Sequence, residues 1–241
     1  MNTFTRRLTL LIVMFCVLAI PTTAQKVSRE QLAEELTALR QQMAVIDKAL
    51  LAPGAEDLLK YAAFTQGSES GVIRLMPRGN PPLVSSIREG GAYYSFTDRS
   101  HEYGAGSAIA LENDHFLTGF AGANFGFLKM IGDVRLEALT TESESVRALV
   151  NFVPPQSEAG ARVEQGKFHA RSDALYVDRL EAKVDQTYVV RSVSYGHSDT
   201  MTAFRVVRKD TDGSLIMVWK MLRRYPVPQL DRYASESRPG N

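Results

Sequence analysis

Residues 201–222 read MTAFRVVRKDTDGSLIMVWKML and carry the clearest fold signal in the chain. β-Branched and aromatic residues fill both ends of this stretch, Met201 to Arg208 and Leu215 to Leu222, as is typical of β-strands. Asp212-Gly213 lies between the two ends and favours a two-residue hairpin turn, because glycine adopts a positive φ without strain. Since Leu215 to Leu222 is apolar on both faces, we expect it to lie inside a sheet.

Similar patterns extend the prediction towards the N-terminus. Strands are expected over residues 72–76, 83–88, 92–97, 107–112, 115–120, 134–139 and 187–195. Turn residues predict two further hairpins, at Glu89-Gly90-Gly91 and at Asn113-Asp114. Helices are expected over 55–64 and 141–152. The predicted fold class is α+β: an N-terminal amphipathic helix, then a mostly antiparallel β domain, an open sheet or partly closed barrel, with one or two helices.

The N-terminal helix is predicted from a regular apolar stripe. Its members are spaced 4, 3, 4, 3, 4 along the chain: Leu32, Leu36, Leu39, Met43, Ile46 and Leu50. Ser28 and Gln31 form a capping box by sequence, and Val27 and Leu32 are placed as a hydrophobic staple. Ala52-Pro53 ends the pattern, because a residue before proline avoids helical geometry.

This stripe has two interpretations. It is a heptad seam, so the helix can pair with copies of itself as a short coiled coil. In that case Glu35 falls at a "g" position and Arg40 at the following "e" position, where they can bridge parallel partners. The other interpretation is that the stripe packs on the protein's own sheet, since about three heptads is the lower limit for predicting a coiled coil.

The first residues are typical of a secretory signal. Met1 to Arg7 holds two arginines and no acid, Leu8 to Ile20 is almost wholly apolar, and small residues precede Gln25. We therefore expect cleavage after Ala24, an extracytoplasmic location (periplasmic or secreted), and no stable membrane span in the mature chain. The alternative is an uncleaved anchor. The expected organisation is a signal peptide at 1–24, a helical segment at 25–66, a β-rich α+β domain at 67–225 and a flexible tail at 226–241.

Composition excludes several classes of function. The only cysteine, Cys16, lies within the predicted signal, so the mature chain would have no thiolate nucleophile, thiolate metal site or disulfide. The chain carries 28 basic and 27 acidic residues, a net charge of +1, which gives no electrostatic footprint for nucleic acid. No dinucleotide or phosphate-loop motif is present, and no cofactor is expected.

The densest polar cluster is Asp98, Arg99, His101 and Glu102, and Asp114-His115 follows in the next predicted hairpin. If the two hairpins stack, His101, Glu102, Asp114 and His115 are candidate ligands for zinc or another divalent metal, because such sites need convergent nitrogen and oxygen donors. The alternative is that these residues are solvated loop and turn residues.

Two His–acid pairs, His169 with Asp173 and His197 with Asp199, are candidates for orienting a general base. Ser107 follows Gly104-Ala105-Gly106, but the Gly-x-Ser-x-Gly elbow of the hydrolases is absent. No residue is therefore assigned a catalytic role.

Aromatic residues crowd the middle of the chain, among them Tyr93, Phe96 and Phe120, either as core or as the lining of an apolar-ligand cavity. The leading functional hypothesis from sequence is a non-enzymatic binding or assembly module that self-associates through the helix. The alternatives are a metal-assisted extracytoplasmic hydrolase and a carrier of an apolar ligand.

Overall fold

The computed structural model describes residues 28–79, 86–104, 106–120, 124–169 and 177–231. The predicted signal peptide and its cleavage site, Val27 of the predicted staple, Asp173 and most of the predicted tail lie outside the described residues. By their contacts, the described residues form two units, one ending at Gln42 and the other beginning at Met43.

The first helix, α1, spans Arg29–Leu50. Its predicted capping box is confirmed in both directions. The Gln31 backbone N–H donates to Ser28 Oγ at 3.1 Å, and the Ser28 N–H donates to Gln31 Oε1 at 3.0 Å. These two bonds satisfy backbone groups that a helix start otherwise leaves without partners.

The remaining elements are four short helices and nine strands within the described residues. The helices are α2 (Ala55–Lys60), α3 (Ala62–Thr65), α4 (Arg147–Val150) and α5 (Glu158–His169). The strands are β1 (Ser70–Leu75), β2 (Tyr93–Tyr94), β3 (Ile109–Glu112), β4 (His115–Leu117), β5 (Phe125–Gly132), β6 (Arg179–Glu181), β7 (Thr187–Ser194), β8 (Ser198–Lys209) and β9 (Leu215–Arg224).

The strands form two antiparallel sheets, and neither closes into a barrel. The large sheet has the order β1-β9-β8-β7-β5, and the small sheet has the order β2-β3-β4-β6. The predicted hairpin at Asp212-Gly213 is confirmed between β8 and β9, where Gly213 has φ 83°. The hairpin at Asn113-Asp114 is also confirmed between β3 and β4, and both turn residues have positive φ. As expected, β9 lies inside the large sheet.

Alternation along the strands places the core on both faces of the large sheet. Tyr188 and Phe204 face the small sheet and pack in one cluster with Phe116 of β4. Val189 and Ala203 point the other way and are covered by Leu136 and other apolar residues that precede α5. Because both faces are covered, β9 buries consecutive apolar residues from Leu215 to Trp219, which explains the pattern of Leu215 to Leu222.

Two predictions are wrong, the hairpin at Glu89-Gly90-Gly91 and the strand over 134–139. Among the described residues, a 3₁₀ turn spans Arg88–Gly91 in place of the hairpin, and Glu89 and Gly90 have φ near 60°. Residues 83–85 of the first strand predicted for that hairpin lie outside the described residues. Tyr93–Tyr94 pairs with β3 instead. The predicted strand 134–139 contains a 3₁₀ turn at Leu136–Ala138, which buries Leu136 and Leu139 because residues three apart share a face of such a turn.

The helix expected over 141–152 is limited to α4, preceded by a 3₁₀ turn at Glu144–Val146. The helix expected over 55–64 is present as α2 and α3, which Tyr61 separates. Among the described residues, no helix combines the length and the hydropathy that crossing a membrane requires.

Candidate functional site

The segment Asp98–Tyr103, here called the 98–103 loop, follows β2 and contains the polar cluster found in the sequence. Ser95 and Ser100 form an isolated β-bridge, in which the Ser95 N–H donates to the Ser100 carbonyl at 2.9 Å. The chain turns sharply inside this bridge, and Arg99 adopts a φ of 53°, in the left-handed region. Non-glycine residues adopt this conformation rarely, so the loop holds Arg99 in a specific orientation.

Asp98 is the first fixed side chain of this loop. Ser95 Oγ donates to Asp98 Oδ2 at 2.9 Å and accepts from the Asp98 N–H at 3.0 Å. His197 Nε2 donates to the same Oδ2 at 3.0 Å, since a carboxylate can only accept. His197 therefore pairs with Asp98 and not with Asp199, contrary to the pairing suggested by the sequence.

Asp199 instead binds Arg191 in the interior. Arg191 Nε and Nη2 donate to the two carboxylate oxygens at 2.7 and 2.8 Å, and both side chains are almost fully buried. Arg191 also donates to the Leu149 carbonyl, and its guanidinium lies 3.4 Å from the Tyr225 ring centroid. Each guanidinium nitrogen and both carboxylate oxygens have a partner. Arg191–Asp199 is therefore a structural ion pair that joins β7, β8, α4 and the segment after β9.

His101 is the second fixed side chain of the 98–103 loop. Its Nε2 is 2.8 Å from the Arg74 carbonyl, and its ring packs edge-on against Tyr94 with centroids 4.9 Å apart. Burial lowers the pKa of His101 below its ordinary value, and the bond to Arg74 opposes this shift only in part. The carbonyl fixes the tautomer with the proton on Nε2.

The four candidate metal ligands are held in two different places. His101 and Glu102 lie on the 98–103 loop, whereas Asp114 and His115 belong to the β3–β4 turn. Asp114 accepts from Lys209 Nζ at 2.8 Å, and His115 Nδ1 lies 2.7 Å from the Asn113 carbonyl. Among the described residues, no group of three or more His, Cys, Asp or Glu side chains is arranged to hold a metal ion.

Two clefts flank the 98–103 loop. The main cleft has a volume of about 760 Å³ and lies between the last turns of α1, β1, the segment before β2 and the loop itself. The side cleft, of about 260 Å³, contains Asp98, His197 and Ser107. His101 and Glu102 line the main cleft, and Glu102 also borders the side cleft. The sequence thus identified His101 and Glu102, which line one part of the main cleft. It did not identify Lys48 and Arg88, which line other parts, because no local pattern connects them to the loop.

The side cleft contains a His–carboxylate pair, and the Ser95 hydroxyl is bonded to its carboxylate rather than to His197. Ser107 Oγ donates to the Glu102 carbonyl at 3.1 Å and accepts from the Gly104 N–H at 3.1 Å. These bonds hold its hydroxyl within its own turn. His169 lies at the end of α5, and its suggested partner Asp173 is outside the described residues.

The aromatic residues considered as a cavity lining are packed against one another. Phe96 is fully buried between Phe204 and Trp219, and Tyr93 packs edge-on against Tyr103 and Phe120. The aromatic side chains that line the main cleft are Tyr94 and Tyr103.

Comparison with known proteins gives no relative for this fold and site: no protein-family model, curated protein or solved structure matches the chain.

Proposed function

We propose that this chain is a non-enzymatic, extracytoplasmic binding or assembly module that associates with copies of itself through α1. The observation that carries the proposal is the exposure of the heptad seam. Leu32, Leu39 and Ile46 are 53%, 49% and 58% exposed, although each is a large apolar side chain. Leu36 and Met43 are exposed to a similar degree. A contiguous exposed apolar stripe of this kind is typical of a protein interaction surface.

Packing of the seam on the protein's own sheet fits these values less well. Met43 and Ile46 belong to the same unit as the sheets, yet they are 46% and 58% exposed. In the last turn of the helix Asp47 is buried, as is Leu51 directly after the helix. The available seam therefore runs from Leu32 to Ile46, and a second copy of the chain is the partner to which its spacing is suited.

Charge complementarity supports the same partner. Glu35 and Arg40 flank the seam at "g" and "e" positions, and neither forms an ion pair within the described residues. In a parallel pair of helices, Glu35 of each copy meets Arg40 of the other, which favours this register.

A substitution in the seam tests the proposal. Leu39→Asp places an unpaired charge in the apolar interface, so the protein should become monomeric by sedimentation or light scattering. The fold should be retained, since Leu39 is half exposed. Gln41→Asp introduces the same charge at an "f" position outside the seam and should leave the oligomer intact. A wild-type protein that is monomeric at all concentrations would refute the proposal.

The charge pair gives a second test with a defined direction. Glu35→Arg should weaken association through repulsion of Arg40 in the partner copy, and the double variant Glu35→Arg, Arg40→Glu should restore it. Equal loss in the single and double variants would exclude this register.

The extracytoplasmic location depends on the first 24 residues and has its own test. N-terminal sequencing of protein recovered from the periplasm or medium should begin at or next to Gln25. A membrane-bound chain that retains Met1 would contradict cleavage.

The non-enzymatic assignment is supported by the contacts of the histidines. Among the described side chains, His101 and His115 bind backbone carbonyls and His197 binds a carboxylate, so none of the three activates a hydroxyl in this structure.

A further inference from the structure

The main cleft presents three cationic side chains, and the described residues provide no carboxylate partner for them. Lys48 comes from α1, Arg88 from the 3₁₀ turn before β2, and Arg99 from the 98–103 loop. Arg88 lies over the Tyr103 ring at 4.4 Å, and Arg99 lies 5.9 Å from the Trp219 ring centroid. Contacts with rings orient a guanidinium but do not neutralise its charge.

Elsewhere in the β domain, most arginines are ion-paired. Examples are Arg74–Asp212, Arg78–Glu89, Arg205–Asp133, Arg208–Asp57 and Arg224–Glu69. The cleft differs from this rule even though two carboxylates line it. Asp47 is buried and accepts hydrogen bonds from the Ser86 N–H and hydroxyl, and Glu102 is exposed on the rim. Cations therefore outnumber carboxylates on the walls, and the Asp47 carboxylate is already bound by Ser86.

The backbone around Arg99 has a defined and unusual conformation. The Ser95–Ser100 bridge closes the loop, and Arg99 is held at a positive φ inside it. A non-glycine residue in this conformation is strained, and such residues concentrate where a side chain must be aimed at a ligand. Its guanidinium also makes two long contacts, 3.4–3.5 Å to the Gly67 and Ser68 carbonyls, and interacts with the Tyr94 hydroxyl, none of which supplies a negative charge.

The size and lining of the cleft define the class of ligand. A volume of about 760 Å³ is suited to a small molecule rather than a folded partner. Val72, Ile73 and Leu51 give the cleft an apolar wall for a carbon skeleton. Burial raises the pKa of Tyr94 to about 12, so its hydroxyl keeps its proton at neutral pH.

We propose that the main cleft binds a small organic oxyanion, a molecule whose carboxylate or phosphate groups are held by Lys48, Arg88 and Arg99. Guanidinium groups pair with both kinds of oxyanion through charge-assisted hydrogen bonds. This proposal is independent of self-association through α1, because it rests on other residues and is measured by a different experiment.

The test is a titration of the intact purified protein with citrate and, separately, with inorganic pyrophosphate at constant ionic strength. Calorimetry measures binding, and fluorescence of Trp219, the only tryptophan in the chain, reports on the contact with Arg99. We expect saturable binding of at least one probe below about 1 mM. Binding of citrate alone identifies a carboxylate ligand, and binding of pyrophosphate alone identifies a phosphate ligand.

Variants assign the binding to the cleft. Arg88→Gln and Arg99→Gln should each weaken it by about tenfold or more, as expected for the loss of a charge-assisted hydrogen bond. Glu102→Gln should strengthen it, because one negative charge leaves the rim. Arg147→Gln removes an exposed arginine outside the cleft and should have no effect. Thermal melting confirms that each variant is folded. Absence of binding by both probes, or an equal loss in Arg147→Gln, would overturn the proposal.

Discussion

Asp98 and His197 are 99 residues apart in the chain, and their side chains meet at 3.0 Å beside Gly106. The Gly106 Cα lies so close to this pair that a Cβ would overlap both Asp98 Oδ2 and His197 Nε2. Glycine at this position is therefore a condition for the contact between the 98–103 loop and the β7–β8 turn.

Gly106→Ala should separate Asp98 from His197, because a Cβ overlaps the ends of both side chains. Since both side chains are partly exposed and can move, the loss of stability should not exceed about 1 kcal/mol. In an NMR spectrum, the ring signals of His197 should shift in Gly106→Ala, and the same shift is expected in Asp98→Asn. Gly104→Ala is the matched control, because a Cβ there meets nothing within 4 Å. If both glycine variants behave alike, Gly106 is not needed for the pair.

The Arg191–Asp199 pair should contribute far more to stability than the surface pairs. Asp199→Ala leaves a buried guanidinium without its carboxylate, which typically costs about 3–5 kcal/mol. Glu158→Ala removes an exposed i,i+4 partner of Arg162 and should cost only about 0.3–0.5 kcal/mol. Chemical denaturation measures both values. Losses of similar size would show that burial does not distinguish the two pairs.

His101 should make stability depend on pH. Because its pKa is lowered in the folded protein, the unfolded chain binds a proton more readily as the pH falls below about 6.5, the ordinary value for histidine. The free energy of unfolding should therefore decrease as the pH falls through this ordinary value, until the lowered pKa of the folded state is passed.

His101→Gln keeps a donor for the Arg74 carbonyl and removes the titration. The difference in stability between wild type and variant should thus change over this pH range, in favour of the variant at the acidic end. A difference that is constant with pH would mean that the His101 pKa is not lowered.

The capping box predicts a local effect at the start of α1. Ser28→Ala removes the acceptor for the Gln31 N–H and should cost about 1 kcal/mol, seen as faster amide exchange in the first turn. Ser28→Asp retains an acceptor and should restore slow exchange. Equal exchange in wild type and Ser28→Ala would show that the cap does not stabilise the helix.

The sequence predicted those elements whose signals lie within a few neighbouring residues. The capping box, the Asn113-Asp114 and Asp212-Gly213 turns and the strands β7 to β9 follow from residues within a few positions of one another. The pair Leu136 and Leu139 was misassigned to a strand because an apolar spacing of three, with Val134 nearby, is ambiguous over so short a stretch.

The candidate site was only half predictable for a related reason. The 98–103 loop is polar and contiguous, so composition identified it. Its partners come from distant segments: Lys48 and Arg88 for the main cleft, and His197 for Asp98. His197 was assigned to Asp199 because the two are neighbours in sequence, yet β-strand alternation turns Asp199 towards Arg191 in the interior.

The pairing of β1 with β9 determines when this protein can fold. Ser70 lies opposite Lys220 and Leu75 lies opposite Leu215. The first strand of the β domain to be synthesised, β1, therefore pairs with the last, β9. A chain still attached to the ribosome cannot complete the large sheet until Leu215–Arg224 has emerged. Closing so long a loop also slows folding, since distant contacts form only after the entropy of the intervening chain is lost. A chain truncated before Leu215 should therefore lack the native large sheet and remain unfolded.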